Sequence, residues 1–384
     1  MELNNGKTKN SLEPWIFLAL FVVFLLIFAV PMGLSNMLNT MMNTAYRLLI
    51  DTCLYLMAIA VVIGAISALL TEFGVVDVLN RMLAPLMKPL YGLPGAASLG
   101  IITTYLSDNP AILTLADDPE FRKYFKAYQI PALTNLGTAF GMGLIVSTFV
   151  AGLNFGPSGR PGLVILCGNL GALAGSVFST RLMLHTTVRY YGKDALPDLS
   201  ARSKDKNADQ KHNISMRFLE AVMTGGKNGV DLGLGIIPGV VVICTIVMML
   251  TNGTGADGEF TGGAYEGIEL LPLIASKFDF ILKWLFGFSS SASIAVPITA
   301  LGSAGAALGI IPKLFNSGLA SSGDVAVFTA MCMCWSGYLS THVSMMDVLG
   351  CRQFTGKAIF YHTLSGIIAG VVAHWLYVLL TLVF

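Results

Sequence analysis

The sequence is poor in charge. Of its 384 residues only 12% are Asp, Glu, Lys or Arg, whereas 54% are hydrophobic and the mean hydropathy is +0.71. Soluble domains carry about 25% charged residues, so this chain has too little charge to cover a water-exposed surface. We therefore expect an integral membrane protein. The net charge of +1 gives no electrostatic reason to expect a nucleic acid partner.

The sequence also lacks the motifs of common catalytic and metal sites. Its six cysteines lie in or beside apolar runs without the spacing of a zinc site, and we expect them to be small buried hydrophobic residues. No GxxxxGKS/T phosphate-binding loop, HExxH, GxSxG or EF-hand pattern occurs. We therefore expect no resident cofactor or metal and no enzyme activity. An intramembrane enzyme is the least favoured class.

What the chain does have is a set of long apolar runs. A run of about 20 residues is needed to cross a bilayer as a helix. Seven runs meet that length and predict full transmembrane spans, at residues 15–34, 48–70, 130–153, 163–184, 232–250, 325–345 and 358–384.

One segment occurs twice. Residues 86–113 and 281–308 align without a gap at a distance of 195 residues, and nine of 28 positions are identical, among them Lys88 with Lys283 and Gly92 with Gly287. Repeated, interrupted hydrophobic segments in matching positions of two halves indicate the binding site of a transporter.

Each copy contains a short apolar segment that is interrupted midway. The interruption is Ser107-Asp108-Asn109-Pro110 in the first copy and Gly302-Ser303-Ala304-Gly305 in the second. The stretch before each interruption holds about 12 residues, which is too short to span a bilayer. Both segments are interpreted as re-entrant helical hairpins. A pair of kinked spans is the alternative, because membrane helices tolerate Pro and Gly.

Lys and Arg residues predict the orientation. With the N-terminus in the cytoplasm and both interrupted segments treated as hairpins, 17 of the 23 basic residues fall in cytoplasmic segments, in agreement with the positive-inside rule. The halves are then inverted. The predicted units are a tail and first span (1–45), a first repeat (46–185), a cytoplasmic linker (186–225) and a second, inverted repeat (226–384). The fold class is all-α polytopic, and the expected location is a bacterial inner (plasma) membrane.

Two features resemble the nucleoside recognition, or gate, family of membrane proteins. One is Gly92-Leu93-Pro94 with Ala97-Ser98 before the first hairpin, echoed by Gly287-Phe288 with Ala292-Ser293; the other is the run DxGxGIIPGVVVI that begins at Asp231. Distant relatives of that family include concentrative nucleoside transporters. The resemblance implies a transport-type architecture with paired inverted hairpins and names no substrate. No GTP-binding domain accompanies it here.

The first hairpin provides the strongest candidate site. Ionisable residues inside a membrane usually belong to a substrate or proton pathway, and interrupted helices expose unpaired amides and carbonyls. Candidate ligands there are Thr104, Ser107, Asp108 and Asn109. The alternative is a surface loop in which Asp and Asn cap a helix.

Further candidates lie in the second hairpin and in the spans that follow each hairpin. Serines of the second hairpin are equally well interpreted as caps or packing residues, His342 is able to titrate near neutral pH, and His362 and His374 are interpreted as packing residues. The remaining substrate- or ion-binding candidates are Thr134, Asn135, Thr138, Ser291, Ser293, Ser303 and Thr329.

Three classes of function follow. The favoured one is a transporter that moves a small polar metabolite by alternating access, with a coupling cation or proton left open and a nucleoside-like substrate suggested by family analogy alone. A membrane scaffold or partner subunit of a larger complex is the second, and an enzyme the third. The expected partners are the bilayer and a small-molecule substrate; a homo-oligomer or a membrane partner is left open.

Overall fold

The computed structural model describes residues 12–116, 119–157, 159–197, 213–255 and 257–383. The protein is 79% helical, and the described ranges contain no β-strand. Within these ranges six helices are long and apolar enough to cross a membrane, or seven if one bent pair counts as a span. The predicted all-α polytopic fold is confirmed.

Two long helices open the described part of the chain. Helix α1 (Glu13–Met32) is mostly exposed and apolar, so it faces lipid; Gly33, at φ +76°, separates it from α2. Helix α2 (Leu34–Glu72) has 39 residues and begins at Leu34 rather than at residue 48 as predicted. The apolar run covered only its second half, because the first half carries polar residues.

The first repeat continues with six helices. A single helical turn (Pro119–Arg122) and a 3₁₀ turn (Ala127–Gln129) connect the hairpin to the next span. The helices are α3 (Val75–Tyr91), α4 (Ala97–Leu106), α5 (Pro110–Ala116), α6 (Ala132–Thr138), α7 (Gly143–Ala151) and α8 (Pro161–Tyr191).

The second repeat has the same order, except that two helices stand in place of the single helix before the hairpin. Its first span, α9 (Ile214–Thr251), has 38 residues and precedes a loop and seven further helices. They are α10 (Leu270–Ser276), α11 (Asp279–Phe286), α12 (Ser291–Gly302), α13 (Ala304–Asn316), α14 (Ser322–Cys334), α15 (Tyr338–Val348) and α16 (Thr355–Val383). In each repeat the two legs of the hairpin, α4 with α5 and α12 with α13, lie against each other.

The distance of 195 residues holds beyond the aligned segment. Gly92 and Gly287 both have positive φ after α3 and α11, and Met142 and Gly337 both have positive φ immediately before α7 and α15. Residues other than glycine rarely adopt such a φ, so a shared left-handed residue at matching positions is a conformational signature of the repeat. The two halves fold alike.

Two predicted continuous spans are interrupted. The span predicted at 325–345 ends as α14 at Cys334 and restarts as α15 at Tyr338; the span predicted at 130–153 is broken between α6 and α7. Both runs are predominantly apolar over their full length, so hydropathy did not reveal the breaks. The predicted linker (186–225) is partly helical, because α8 continues to Tyr191 and α9 begins at Ile214. Residues 198–212 of that linker lie outside the described residues.

The first spans of the two repeats, α2 and α9, cross in close antiparallel contact. Gly64 lies against Gly225, and Ala60 lies against Gly229, so that a Cβ on either of these α9 glycines would collide with the α2 backbone. Each helix also contains one π-helical stretch, Leu48–Cys53 in α2 and Gly239–Cys244 in α9, and the two stretches are in contact. Such stretches are frequent at functional sites. Both hairpins pack against the helices α2 and α9.

An acidic loop between α9 and α10 packs on the first half of α2. Asn36 and Asn43 donate hydrogen bonds to the carbonyls of Phe260 and Gly262, each at 2.8 Å. The buried carboxylate of Glu266 organises the loop by accepting hydrogen bonds from the amides of Thr261 and Gly262 and from the Thr261 hydroxyl. Burial raises the pKa of Glu266, but these hydrogen bonds outweigh burial and bring the pKa below its ordinary value.

We predict that Gly225→Leu destabilises the protein, because the side chain has no room between α2 and α9. Overpacking of this kind typically costs about 1–3 kcal/mol. Thermal unfolding in detergent measures the effect, and Gly235→Leu on the same helix is the matched control, since a Cβ at Gly235 has nothing within 4 Å. Equal melting temperatures for the two variants would contradict a tight helix crossing.

We also predict that Glu266→Gln lowers stability at pH 7 by about 1–3 kcal/mol, the contribution of hydrogen bonds to a charged group. Because the folded-state pKa is depressed, the carboxylate stabilises the protein above its ordinary pKa of 4.5 and loses that contribution as the pH falls below it. The gap in melting temperature between wild type and variant should therefore narrow toward pH 4. The exposed Glu259→Gln should show no pH-dependent gap.

Candidate functional site

Four interruptions of helices meet inside the bundle. Two are hairpin tips, the first tip at residues 107–109 between α4 and α5 and the second tip at Ser303 between α12 and α13. The other two are the first break, residues 139–142 between α6 and α7, and the second break, residues 335–337 between α14 and α15. Each interruption leaves helix-end amides and carbonyls without intrahelical partners.

The first tip is joined to the second break by a reciprocal pair of hydrogen bonds. Asn109 Nδ2 donates to the Ser336 carbonyl at 2.8 Å, and the Ser336 hydroxyl donates to Asn109 Oδ1 at 3.0 Å. Asn109 is 1% exposed and Ser336 is 7% exposed. Gly141 of the first break lies directly beneath them, and a Cβ there would collide with both side chains. Three interruptions therefore share one point.

The second tip reaches the same point through Gly337. The Gly337 amide donates to the Ala300 carbonyl at 3.4 Å, and a Cβ on Gly337 would lie 3.3 Å from the Gly302 carbonyl oxygen. Ser303 caps α13 by accepting a hydrogen bond from the Ala306 amide at 3.2 Å, and it faces Gly239 in the π-helical stretch of α9. The second tip is thus held by backbone contacts, whereas the first is held by side chains.

Asp108 of the first tip faces a cavity with one oxygen unpaired. The residue is half-buried, and its Oδ1 atom is fully buried without a hydrogen-bond partner. The cavity measures about 360 Å³ and lies between the hairpin and the α2–α9 crossing, with Asp108, Gly64, Asn228 and Gly229 among its lining residues. A carboxylate in this position is poorly compensated by the protein itself, so it is suited to binding a cation, a proton or an amine.

A larger cavity of about 510 Å³ adjoins the first. Both are lined by Ser107, Gly64 and Asn228, and the larger one extends along α2 and α9 past Thr71 to Glu72 and Arg217. Arg217 Nε lies 2.6 Å from Glu72 Oε1, and both side chains are partly exposed. The cavities form a polar route from this ion pair to Asp108.

Several predicted ligands do not line either cavity. Thr104 and Thr329 donate to carbonyls of their own helices, at Gly100 and Val325. Asn135 Nδ2 donates to the Ala358 carbonyl at 3.0 Å and ties α6 to α16, as the packing alternative for membrane Asn and Thr residues predicts. Thr138 approaches the Met345 sulfur at 3.9 Å, and the buried Thr134 hydroxyl has no partner and packs beside Ile112 and Leu133.

The serines before the second hairpin belong to a clamp on Asp324, a residue that sequence reasoning missed. The fully buried Asp324 carboxylate accepts hydrogen bonds from the hydroxyls of Ser289, Ser293 and Ser321, at 2.6 to 2.7 Å. Ser321 and Asp324 also form a capping box at the start of α14. The pattern Ser-x-x-Asp was the available signal. Ser291 lies half-buried at the start of α12.

Two residues missed at the centre are Gly141 and Ser67. Ser67 donates to the Leu106 carbonyl at 2.9 Å and so satisfies the end of α4. Ser336 and Gly141 are 195 residues apart, so aligning the two spans would have paired two small residues at one position. His342 lies beside the second break, with neither ring nitrogen hydrogen-bonded. No cluster of three or more His, Cys, Asp or Glu residues suited to a metal occurs in the described part of the chain.

Comparisons with known proteins identify the fold. No family model matches the chain, and an uncharacterized protein of Alkalihalophilus pseudofirmus is 24% identical over 223 residues, which are 55% of this chain and 46% of that protein. The chain thus spans about half the length of this curated relative. Membership of the gate family stays a prediction.

Solved structures of the concentrative nucleoside transporter CNTnw have the same fold. An inward-facing, substrate-bound state matches with a TM-score of 0.55, and two variants in outward-facing states match with TM-scores of 0.52 and 0.57. Identity is 14% in each comparison, over 84–85% of this chain and 74–76% of CNTnw. At this identity the likeness is one of fold: a polytopic helical membrane protein.

We predict that Asn109→Ala destabilises the protein by about 1–3 kcal/mol, because it removes both hydrogen bonds and leaves the buried Ser336 carbonyl unpaired. Ser336→Ala removes one bond and keeps the carbonyl paired, so its effect should be smaller. Thermal unfolding measures both variants, with Asn154→Ala in an exposed loop as control. A larger loss for Ser336→Ala than for Asn109→Ala would reverse the assignment.

Proposed function

We propose that the protein is a membrane transporter that moves a small polar metabolite by alternating access. The observation that carries the proposal is that Asp108, with one buried carboxylate oxygen unpaired, lines a cavity where four helix interruptions converge. Interrupted helices near mid-membrane are where transporters place substrate and coupling ions.

The contacts at the first tip suit a moving element. The first tip is joined to the second break mainly through Asn109 and Ser336, and hydrogen bonds of this kind contribute about 0.5–1.5 kcal/mol each. Separating the tip from the break is therefore feasible on transport timescales. The inverted halves supply two related arrangements of one site, and CNTnw, which shares the fold, is known in outward- and inward-facing states.

The orientation of the cavities follows from the charge bias. The positive-inside rule places the N-terminus, Glu72 and Arg217 on the cytoplasmic side. The polar route from this ion pair to Asp108 then opens to the cytoplasm, so the present conformation is inward-open. The proposed location is a bacterial inner membrane.

The substrate class follows from the groups that line the route. The Asp108 carboxylate, the Asn228 amide and several hydroxyls face the cavities, among them those of Ser67, Thr71 and Ser107. Such a set suits an uncharged or cationic polar metabolite, with Asp108 binding a cation, a proton or a substrate amine. A nucleoside-like substrate is proposed by analogy with CNTnw.

Cysteine labelling tests alternating access without knowledge of the substrate. We predict that Ser107→Cys reacts with a membrane-impermeant maleimide from the cytoplasmic face in one condition and from the outer face in another. The six native cysteines are all buried, so background labelling should be low. The accessibility is measured in inside-out and right-side-out vesicles. Labelling from the cytoplasmic face alone in every condition would favour a scaffold over a transporter.

Uptake tests the role of Asp108. With uridine as the first probe in proteoliposomes, Asp108→Asn should reduce uptake at least about tenfold, the effect of losing roughly 1.4 kcal/mol of binding. Asp257→Asn, in the exposed outer loop, is the matched control and should transport normally. Full activity of Asp108→Asn at equal expression would remove Asp108 from the mechanism.

A further inference from the structure

Two buried histidines lie side by side next to the second break. His342 on α15 and His362 on α16 are both 0% exposed, and their ring centroids are 4.6 Å apart. Tyr338, the first residue of α15, packs against both rings at 5.5 and 5.1 Å. The sequence interpretation of His362 as a packing residue accounts for its burial but not for its chemistry.

The two histidines have ring nitrogens without hydrogen-bond partners. His362 Nε2 lies 2.6 Å from the Cys334 carbonyl oxygen; a carbonyl only accepts, so Nε2 carries the hydrogen and Nδ1 is a bare acceptor. That Nδ1 atom is buried without a partner, and so are both ring nitrogens of His342. Native proteins rarely leave such groups unsatisfied without a function.

No charged partner explains the pair. Helices α5, α6 and α12, which pack against α15, contain no ionisable residue. The ionisable groups nearest the rings are Tyr338 and Cys334. Other charged groups and histidines on the surrounding helices engage elsewhere or face outward. Asp279 pairs with Lys283, Asp347 with Arg352 and His185 with Arg189, and serines hold Asp324. Arg181 binds the Leu90 and Pro89 carbonyls, Lys357 is exposed, and His374 of α16 lies against Gly287.

The first repeat lacks this arrangement. The positions 195 residues before His342 and His362 hold Ser147 and Cys167. Ser147 contacts the Tyr105 hydroxyl at 3.2 Å and accepts from Asn169 Nδ2 at 3.1 Å. The fold common to both repeats therefore accepts a neutral, hydrogen-bonded side chain at the position of His342. The histidine pair is specific to the second repeat.

We propose that His342 and His362 together bind one proton, and that its binding biases the conformation of the second break. One proton suits the pair, because two adjacent imidazolium cations would repel each other. The pair touches both sides of the break: His362 contacts Cys334 at the end of α14 and receives the Trp335 indole hydrogen bond on its carbonyl, and Tyr338 begins α15. This inference rests on the proposed function, for which it names the proton as coupling ion.

The test measures the rate at which a maleimide labels Ser107→Cys in detergent, at pH 5.5 and at pH 8.0. At each pH this rate is divided by the labelling rate of Asp257→Cys, which removes the intrinsic pH dependence of thiol reactivity. The parent should show a change of about threefold or more in this ratio, as expected for a two-state population shift. His342→Phe, which keeps the ring packing and removes both nitrogens, should abolish the change.

Further variants separate the role of the histidine pair from general damage to the fold. His362→Gln keeps a donor for the Cys334 carbonyl and should also abolish the pH response, and His342→Gln serves if His342→Phe does not fold. His185→Phe, at an exposed site, should retain it. A parent ratio that is independent of pH, or a pH response that survives in both His342 and His362 variants, overturns the proton site. Two-sided accessibility in vesicles would still support transport in that case, so the two proposals fail separately.

Discussion

A helix that stops inside a membrane leaves amides and carbonyls with no water to bind, and this constraint shapes the centre of the molecule. Four helices stop there, and each interruption is matched to another. Asn109 of the first tip pairs with Ser336 of the second break, and Gly337 of that break bonds to the end of α12. A side chain at Gly141 would collide with Asn109 and Ser336, and Gly337 has a φ of +73°, which favours glycine.

The remaining architecture holds the interruptions in register. The glycine-lined crossing of α2 and α9 brings the first spans of both repeats into backbone contact. Each hairpin tip also contacts this pair of helices: the Leu106 carbonyl accepts a hydrogen bond from Ser67 of α2, and Ser303 faces Gly239 of α9. The clamp of three serines on Asp324 fixes the start of the second hairpin to α14. Large residues at the crossing or an empty clamp would displace the tips.

Composition, hydropathy and the repeat were sufficient to predict the class of fold and both hairpins. They did not reveal the breaks in α6–α7 and α14–α15, because interruptions of three or four residues are too short to lower the mean hydropathy of a whole span. The ligand list was too broad for a related reason. In a membrane span Thr and Asn bond their own helix or a neighbour as readily as a ligand, and Thr104, Thr329 and Asn135 do so here. Spacing alone does not distinguish these roles.

The asymmetry of the two repeats is the most informative departure from their common fold. The first repeat places a carboxylate at its tip and a neutral hydrogen-bonded serine at position 147, whereas the second has a bare tip and an imidazole at the equivalent position 342. A fold needs no such difference, since both halves pack equally well. If the first tip contacts the substrate and the second break responds to a proton, the Asn109–Ser336 pair joins the two events. Its hydrogen bonds connect the first tip, where substrate binds, to the second break, beside which the histidines titrate.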